Sequence, residues 1–236
     1  MFGRIGLLAI GVLTFGMACG GSAAPAAVQP PAGVTSNVLA SGRIESIPAG
    51  TLFVNWLQIP LTAGGSLKHK HLPGFVYAVG GAVELGIENA SPLMIKPGQA
   101  EFIPASVMHS HLNPGSSGND WWFIALRSTS SRPLAMNVPT QKELYTTGDL
   151  TQISAGSYAE TLSDNRLPAK GVDRQTGPSL RVLYVLEGSV TVSGDAGMAG
   201  TAAAGQGAYS LPGASLVLTA GPAGGHYVTF ALTPTS

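Results

Sequence analysis

The feature that most constrains the fold of this chain is an internal repeat of short apolar segments. The segment VYAVGGAVEL (residues 76–85) aligns with LYVLEGSVTV (183–192), and PGQAEFIPASV (97–107) aligns with AGQGAYSLPGASL (204–216). In each half, a strand, a glycine turn and a second strand precede a Gly-Gln pair and an apolar strand that ends near a proline. A repeat of this length predicts two similar domains, not the stacked units of a solenoid.

Glycine and proline separate the apolar segments throughout the chain. The sequence has 32 glycines and 17 prolines among 236 residues, distributed between runs such as TLFVNWLQI, AEFIPA and WWFIALR. No segment between residues 38 and 127 has a convincing helical period. The pattern predicts an all-β chain of antiparallel strands, folded as a sandwich or a barrel.

Charged residues are scarce and balanced. The chain has 12 basic and 12 acidic residues, and charged residues make up 10% of it, against about 25% in typical globular proteins. There is no cluster of lysine and arginine that could neutralise a phosphate backbone. The composition therefore argues against nucleic acid as a partner.

The N-terminus has the features of an export signal. In residues 1–18, a positive start precedes an apolar run (5–15) that is too short to span a bilayer, and the chain's single cysteine, Cys19, follows. This arrangement resembles a bacterial lipoprotein signal, which implies cleavage before Cys19 and a lipid anchor in the cell envelope. Ordinary secretory cleavage, after Ala18 or within SAAPAA, is the alternative. Residues 19–36 are predicted to be a flexible tether.

His69 and His71 lie two residues apart in the segment KHKHL. On a β-strand, alternate side chains project to the same face, about 6.6 Å apart along the strand. Two imidazoles at this spacing can converge on one metal ion at roughly 2.0–2.2 Å. Alone, this pair does not identify a metal site, because the same pattern occurs by chance in exposed loops.

A second group of residues makes the assignment specific. In GQAEFIPASVMHSHLN, Gly98 is followed at fixed spacings by Pro104, Ser106, His109 and Asn113. Together with the histidine pair, this pattern resembles the cupin family, whose two motifs are G-x5-H-x-H-x3,4-E-x6-G and G-x5-P-x-G-x2-H-x3-N. Ser106 stands where the second motif has its inner glycine, which is a mild change for a turn.

The resemblance implies two cupin-type β-barrels, or jelly rolls, in tandem. We predict the first barrel in residues 37–128, a linker in 129–150 and the second barrel in 151–236. The linker is polar and contains proline, with at most one helical turn at QKEL. The sequence leaves open whether the barrels pair within one chain or between chains of a homo-oligomer.

The resemblance also implies that His69, His71 and His109 bind one divalent transition metal inside the first barrel. Iron or manganese is favoured, and nickel, copper and zinc also suit histidine ligands. The glutamate of the first motif is missing, because its window holds residues 74–76. Glu84 alternates with apolar residues and is predicted to face away from the interior. Either the site uses three neutral histidines or the metal has been lost.

A three-histidine site leaves the ion its full charge and about three open positions in an octahedral shell. This arrangement favours chelation of an anionic ligand beside a molecule such as dioxygen. We therefore predict an oxidase, dioxygenase or lyase of the cupin type that acts on a small oxygenated molecule. The first alternative is a non-catalytic, membrane-tethered module that binds a small molecule or a metal, and the second is a relic whose barrels serve only assembly.

His111 shares strand parity with His109 and is the candidate catalytic residue. It is compatible with a fourth ligand, a group that supports the ligands or a proton shuttle, and equally with a position at the barrel rim. The side chains of Phe75, Trp121 and Trp122 are predicted to pack in the core, with an aromatic pocket as the alternative.

The second half lacks the histidines. Aligning the halves on the glycine turn places Thr176, Pro178 and either Leu216 or Val217 at the positions of the three ligands. His226 is predicted to be a strand-end residue. The second barrel is therefore expected to be a packing partner or a pocket for an organic ligand.

Overall fold

A computed structural model describes residues 33–47, 49–133, 140–194 and 200–235. The predicted export signal, Cys19 and most of the predicted tether lie outside these residues. The described residues form sixteen β-strands and one short 3-10 helix, Thr129–Ser131, and contain no α-helix. None of them belongs to a helix that is long and apolar enough to cross a membrane.

The strands follow the apolar segments of the sequence. The first half contributes β1 (Thr35–Ile47), β2 (Leu52–Gln58), β3 (Ser66–His69), β4 (Gly74–Gly80), β5 (Val83–Ile87), β6 (Leu93–Ile95), β7 (Ala100–Ile103), β8 (His109–Leu112) and β9 (Asp120–Ser128). The second half contributes β10 (Lys142–Thr146), β11 (Gly156–Leu167), β12 (Val172–Gln175), β13 (Leu180–Gly194), β14 (Gly200–Ala203), β15 (Gly207–Ser210) and β16 (Leu216–Pro234).

The strands form antiparallel sheets. The first barrel is built from a sheet in the order β10-β2-β9-β4-β7 and a second sheet in the order β3-β8-β5-β6. The second barrel is built from a single sheet in the order β1-β11-β16-β13-β14, in which β12 pairs with β16 and β15 with β13. Irregular register within β13 lets this long strand bend and serve both layers of the second barrel.

Two strands cross between the halves. Strand β1, which belongs to the first barrel segment of the sequence, pairs with β11 at the edge of the second barrel's sheet. Strand β10, from the segment 129–150, pairs with β2 and extends the first barrel's sheet. The helical turn predicted at QKEL is wrong, because β10 begins at Lys142 within that segment.

The internal repeat of the sequence is also a repeat of strand register. In the first half, β4 pairs with β7 so that Tyr77 lies opposite Ala100. In the second half, β13 pairs with β15 so that Tyr184 lies opposite Gly207. The aligned segments therefore occupy equivalent positions in the two barrels.

Three apolar cores hold the molecule together. The sheet of β2, β9 and β4 buries one face in the first barrel and the other against the second barrel, so the two barrels share a core. Each large apolar side chain that is fully buried there contributes about 1.5–3 kcal/mol. The shared core includes Val54, Trp56, Phe75, Tyr77, Trp122, Ile124, Leu162, Leu180, Val182, Tyr184, Val228 and Phe230.

Candidate metal centre

Three histidines of the first half lie on two neighbouring strands, and the fourth lies just after one of them. His69, on β3, is directly opposite His109, on β8. Leu67 shares the face of His69 and packs against the core of the first barrel, which shows that this face points inward. His111 follows two residues after His109 on the same face of β8, and His71 lies just beyond the end of β3.

The histidine side chains converge inside the first barrel. Each of His69, His71, His109 and His111 offers a ring nitrogen, and these atoms all lie within 4.8 Å of one another. Ring centroids are 4.4 Å apart for His71 and His109 and 5.3 Å apart for His69 and His111. His109 and His111 are 1% and 0% exposed.

Aromatic side chains of β9 hold two of the imidazoles in place. Trp121 stacks on His111 with 4.1 Å between ring centroids and an interplanar angle of 22°. Phe123 lies 4.1 Å from the ring of His71. These contacts fix the rings and keep water away from one side of the cluster. The expectation of core packing is confirmed for Trp121, which belongs to the interior of this barrel.

Asn113 positions the loop that leads into β3. Its side-chain amide donates hydrogen bonds to the carbonyl oxygens of Leu61 (3.1 Å), Thr62 (3.0 Å) and Ser117 (2.7 Å). Its backbone N–H donates to the carbonyl of Gly65 at 2.9 Å. The asparagine of the second motif therefore has a structural role, because it ties the end of β8 to the chain that carries His69.

Ser106 connects the second motif to the first. Its backbone N–H donates to the carbonyl oxygen of His71 at 2.8 Å. Its φ angle is 62°, in the left-handed region that glycine adopts at little cost. The serine therefore keeps the turn that the motif's glycine makes, at some cost in backbone strain.

Backbone contacts set the tautomer of two histidines. The Nδ1 atom of His71 contacts the carbonyl oxygen of Leu72, and Nδ1 of His109 lies 2.9 Å from the carbonyl oxygen of Val107. A carbonyl oxygen only accepts, so both Nδ1 atoms carry the proton and donate. The lone pair of each ring is then on Nε2, as a metal ligand requires.

The histidines are neutral at physiological pH. Burial lowers the pKa of His69 to about 4, with a further contribution from His109. Burial also lowers the pKa of His71 to about 3, despite its hydrogen bond to Leu72, and the pKa values of His109 and His111 are lowered mainly by burial as well. A neutral imidazole is the form that binds a metal.

Most of the ring nitrogens lack a partner. Within the described ranges, both nitrogens of His69 and His111, and Nε2 of His71 and His109, are buried without a hydrogen bond. An unsatisfied buried polar group costs about 1–3 kcal/mol, and native proteins leave few of them. One metal ion would give a partner to one nitrogen of each of the four rings.

A transition metal fits this group of side chains. Nitrogen ligands of one metal at about 2.0–2.2 Å are separated by roughly 3–4 Å, so the observed spread of up to 4.8 Å needs only small side-chain rotations. Imidazole suits iron, copper, nickel and zinc. The four side chains therefore fit a divalent transition metal.

The three predicted ligands come together, and a fourth histidine joins them. His111 lies in the interior, so the rim position is wrong. Among the described residues the cluster contains no carboxylate, and Glu84 lies on the opposite face of β5 from the buried Val83 and Leu85, as predicted. A fourth imidazole thus replaces the missing carboxylate of the motif. The signal in the sequence is the shared strand parity of His111 and His109.

The second barrel repeats the strand pairing of the metal centre without its histidines. The pairing of β12 with β16 corresponds to that of β3 with β8. Gln175 lies opposite Leu216, as His69 lies opposite His109. The backbone N–H of Gly213 donates to the carbonyl of Gly177 at 3.0 Å, as Ser106 donates to His71. The positions of the first histidine pair are therefore Gln175 and Gly177.

The prediction of Thr176 and Pro178 at those positions is wrong by one residue. Tyr184 follows Gln175 by nine positions, whereas Tyr77 follows His69 by eight, so counting back from the glycine turn shifts the register by one residue. Leu216 at the position of His109 is confirmed by its place opposite Gln175.

Apolar side chains fill the interior of the second barrel. Leu218 occupies the position of His111, since it lies opposite Val192 as His111 lies opposite Leu85. The space between Gln175, Leu216 and Leu218 is too small for a water molecule. The interior of this barrel therefore favours a packing role over an organic-ligand pocket.

His226 is not a strand-end residue, contrary to the prediction. It lies inside β16, and its Nε2 atom is 2.7 Å from a carboxylate oxygen of Asp164. A cleft of about 380 Å³ lined by His226 and Arg166, and another of about 430 Å³ lined by Tyr145, lie away from the histidine cluster. The group of side chains that could hold a metal ion lies at the cluster.

Comparison with known proteins identifies the fold. No model of a protein family matches the sequence, and no curated protein matches it. Among solved structures, the chain is similar to recombinant pro-11S globulin of pumpkin (TM-score 0.55, 12% identity, 84% of this chain and 86% of that chain). It is also similar to AerE from Microcystis aeruginosa (0.54, 14%, 84% and 99%) and to protein Ylba from E. coli (0.52, 14%, 87% and 85%).

The class of protein follows from the fold and the cluster. These neighbours are cupin-type proteins, and at such low identity the likeness shows the fold alone. The predicted fold class is confirmed: the chain is all-β, with two cupin-type barrels in tandem. The first barrel contains a group of four histidines that could hold a metal ion.

Proposed function

We propose that this protein is an exported metalloprotein that holds one divalent transition metal on His69, His71, His109 and His111 and acts on a small oxygenated molecule. The observation that carries the proposal is the convergence of ring nitrogens that are buried, neutral and without a hydrogen-bond partner. Three histidines were predicted from the motifs, and the fourth completes a set of neutral ligands.

The residues around the cluster have separate roles. The Nδ1–H groups of His71 and His109 are anchored on backbone carbonyls, which directs Nε2 of each ring toward the shared centre. Trp121 and Phe123 hold the rings of His111 and His71 and exclude water. When bound, the metal supplies Lewis acidity and, if it is iron or manganese, redox chemistry.

Four nitrogen ligands leave about two positions in an octahedral shell. If these positions are adjacent to each other, a metal held by the four histidines would suit a ligand that binds through two oxygen atoms. Because the four imidazoles are neutral, the ion keeps its full positive charge, which favours an anionic ligand. The chemistry expected from the resemblance is that of an oxidase, dioxygenase or lyase, with iron or manganese as the favoured metal.

A non-catalytic binding module is the second candidate. It is favoured by the almost complete burial of His109 and His111. It is also favoured because a fourth histidine ligand would occupy a coordination position that a substrate could otherwise use. Metal loading followed by oxygen uptake on a panel of catechols, flavonols, diketones and thiols separates the two. Turnover that depends on the histidines supports the enzyme, whereas a stoichiometric metal without turnover supports the binding module.

Export and lipid attachment are part of the proposal. The support comes from the sequence, in which residues 1–18 resemble a lipoprotein signal and Cys19 follows. Metabolic labelling with a palmitate analogue tests the anchor. We expect label in the membrane fraction of the natural chain and none in a Cys19→Ser variant. A secreted chain without label would show ordinary cleavage instead.

A further inference from the structure

Arg127 lies on the inner wall of the first barrel. On β9 the side chains of Phe123 and Ala125 face the barrel interior, and strand alternation places Arg127 on the same face. Its Cζ atom lies 5.7 Å from the ring centroid of Phe123. Arg127 therefore lies on the inner face of the barrel wall, partly buried, near the end of β9.

Arg127 and the histidine cluster share one environment. The ring of Phe123 contacts both groups, since it lies 4.1 Å from the ring of His71 and beneath the guanidinium of Arg127. The positive charge of Arg127 also contributes to the lowered pKa of His71. The positive charge of Arg127 would therefore attract an anionic ligand bound at the cluster.

Among the described residues, the side chain of Arg127 has one hydrogen-bond partner, Asn55. Its Nε–H donates to the side-chain oxygen of Asn55 at 2.9 Å, and Asn55 is fully buried. Burial lowers the pKa of Arg127, and Glu143 acts in the opposite direction from too far away to form an ion pair. Over the described ranges, no carboxylate pairs with Arg127 and no hydrogen bond leaves its two Nη atoms.

Arg127 is partly buried, and an arginine drawn into a protein interior is usually paired with an anion. The guanidinium plane offers parallel donors that match a carboxylate. Asn55 binds the Nε–H and so fixes the orientation of the group while its outer edge stays available. Together with a divalent ion on neutral ligands, this arginine gives the interior an excess of positive charge.

We propose that Arg127, oriented by Asn55, anchors a carboxylate of the ligand, and that the ligand is a small organic dianion whose other end binds the metal. This inference rests on the proposed metal site and adds the class of ligand to it. A compound with two carboxylates, or with a carboxylate and a second anionic oxygen, satisfies both ends. A neutral molecule leaves the guanidinium unpaired.

The test is the binding of a series of dicarboxylates by titration calorimetry. Oxalate, malonate, succinate and glutarate are titrated into the full chain, both metal-free and loaded with Mn(II). Oxalate can chelate the ion without reaching the arginine, whereas the longer members can span the two groups. We expect Arg127→Gln to weaken the best longer dicarboxylate roughly 10- to 100-fold and to change oxalate little.

Matched variants separate charge from geometry. Arg127→Lys keeps the charge but loses the paired donors, so we expect intermediate affinity. Arg43→Gln removes an exposed arginine that pairs with Glu45, and we expect it to bind the series as the natural chain does. If Arg127→Gln does not fold, as judged by circular dichroism, Arg127→Lys and Asn55→Ala are tested in its place. We expect both variants to bind the best longer dicarboxylate several-fold more weakly than the natural chain does.

The outcomes distinguish this inference from the proposed function. Equal affinity of the natural chain and Arg127→Gln for all four compounds, at equal Mn(II) content, overturns the anchor and leaves the metal site standing. Absence of metal in the natural chain overturns the metal site. In that case, Arg127-dependent binding of a dicarboxylate to the metal-free chain still supports the anchor, and its absence overturns the anchor too.

Discussion

Equivalent strands pair in the same register in the two barrels, but the interior of the first barrel contains a cluster of histidines and that of the second is mainly apolar. Where the first barrel places His109 and His111 on β8, the second places Leu216 and Leu218 on β16. The leucines belong to an apolar core, whereas the histidines leave six buried ring nitrogens without a hydrogen-bond partner among the described residues. The comparison teaches that the fold itself does not require polar residues at these positions. The histidines therefore need an explanation outside folding, and the proposed metal site offers one.

The largest effect is expected when the first barrel is given the interior of the second. In His109→Leu/His111→Leu, two ligands are replaced by the side chains found at the equivalent positions. We expect the metal content to fall to near zero. In chelator, we expect the variant to be more stable than the metal-free natural chain by about 1–3 kcal/mol, because unpaired polar groups are removed.

Metal analysis and urea unfolding with chelator check this double variant. His109→Ala/His111→Ala is the control, since it also removes the ligands but leaves cavities and should lower the stability. A double leucine variant that keeps a full complement of metal would contradict the account.

The reverse exchange places a histidine in the second barrel. Leu218→His introduces the equivalent of His111 into an interior that has no room for water. We expect a loss of about 3–5 kcal/mol in unfolding free energy, from lost packing and an unpaired imidazole. Leu218→Met, a change of similar volume, is the control and should cost less than about 1.5 kcal/mol. Urea unfolding measures both, and a neutral Leu218→His would show that this barrel tolerates polar groups.

The buried acid of the second half predicts a pH dependence opposite to that of the histidines. Burial raises the pKa of Glu160 from 4.5 to about 8. The contribution of this side chain to the free energy of unfolding is therefore complete below pH 4.5 and is lost as the pH rises through 8. The pKa values of His69 and His71 are lowered, so the pH dependence of their contribution to the free energy of unfolding has the opposite sign. That contribution is complete above pH 6.5 and is lost as the pH falls.

Substitution isolates the contribution of Glu160. Relative to Glu160→Gln, we expect the metal-free natural chain to lose about 2–4 kcal/mol of unfolding free energy between pH 5 and pH 8.5. The histidines are common to both proteins, so their effect cancels in the difference. Urea unfolding at a series of pH values provides the measurement, and parallel profiles for the two proteins would argue against a neutral buried acid.

The smallest effect concerns the equivalent turns of the two barrels. Ser106 has a φ of 62°, and its equivalent, Gly213, has a φ of 81°. We expect Ser106→Gly to relieve strain and to change the stability by about +0.5 to +1 kcal/mol, because glycine tolerates this conformation. Gly213→Ser should destabilise by a similar amount. Thermal unfolding of both variants checks the pair, and effects of the same sign would contradict the equivalence of the turns.

The sequence predicted much of this architecture because its main signals are periodic. The repeat fixed two similar barrels, and the alternation on β3 and β8 brought three histidines to one face. Motif spacing located His109, and strand parity alone indicated His111. These signals depend on local geometry, which the sequence carries directly.

Other features depend on contacts that no local pattern reveals. The exchange of β1 and β10 between barrels is decided by pairing with distant strands. The register of Gln175 depends on one extra residue between it and Tyr184. Arg127 follows an apolar run in the sequence. Only the packed barrel shows that its charge lies near the histidines and that no carboxylate in the described part of the chain pairs with it.

Metal content tests the central claim most directly. The full chain is exposed to Fe(II), Mn(II), Ni(II), Cu(II) and Zn(II), freed of loosely bound ions and analysed by plasma mass spectrometry beside His69→Ala/His109→Ala. The account predicts about one metal ion per natural chain and almost none in the double variant. An absence of metal from both proteins, or equal metal in both, would contradict it.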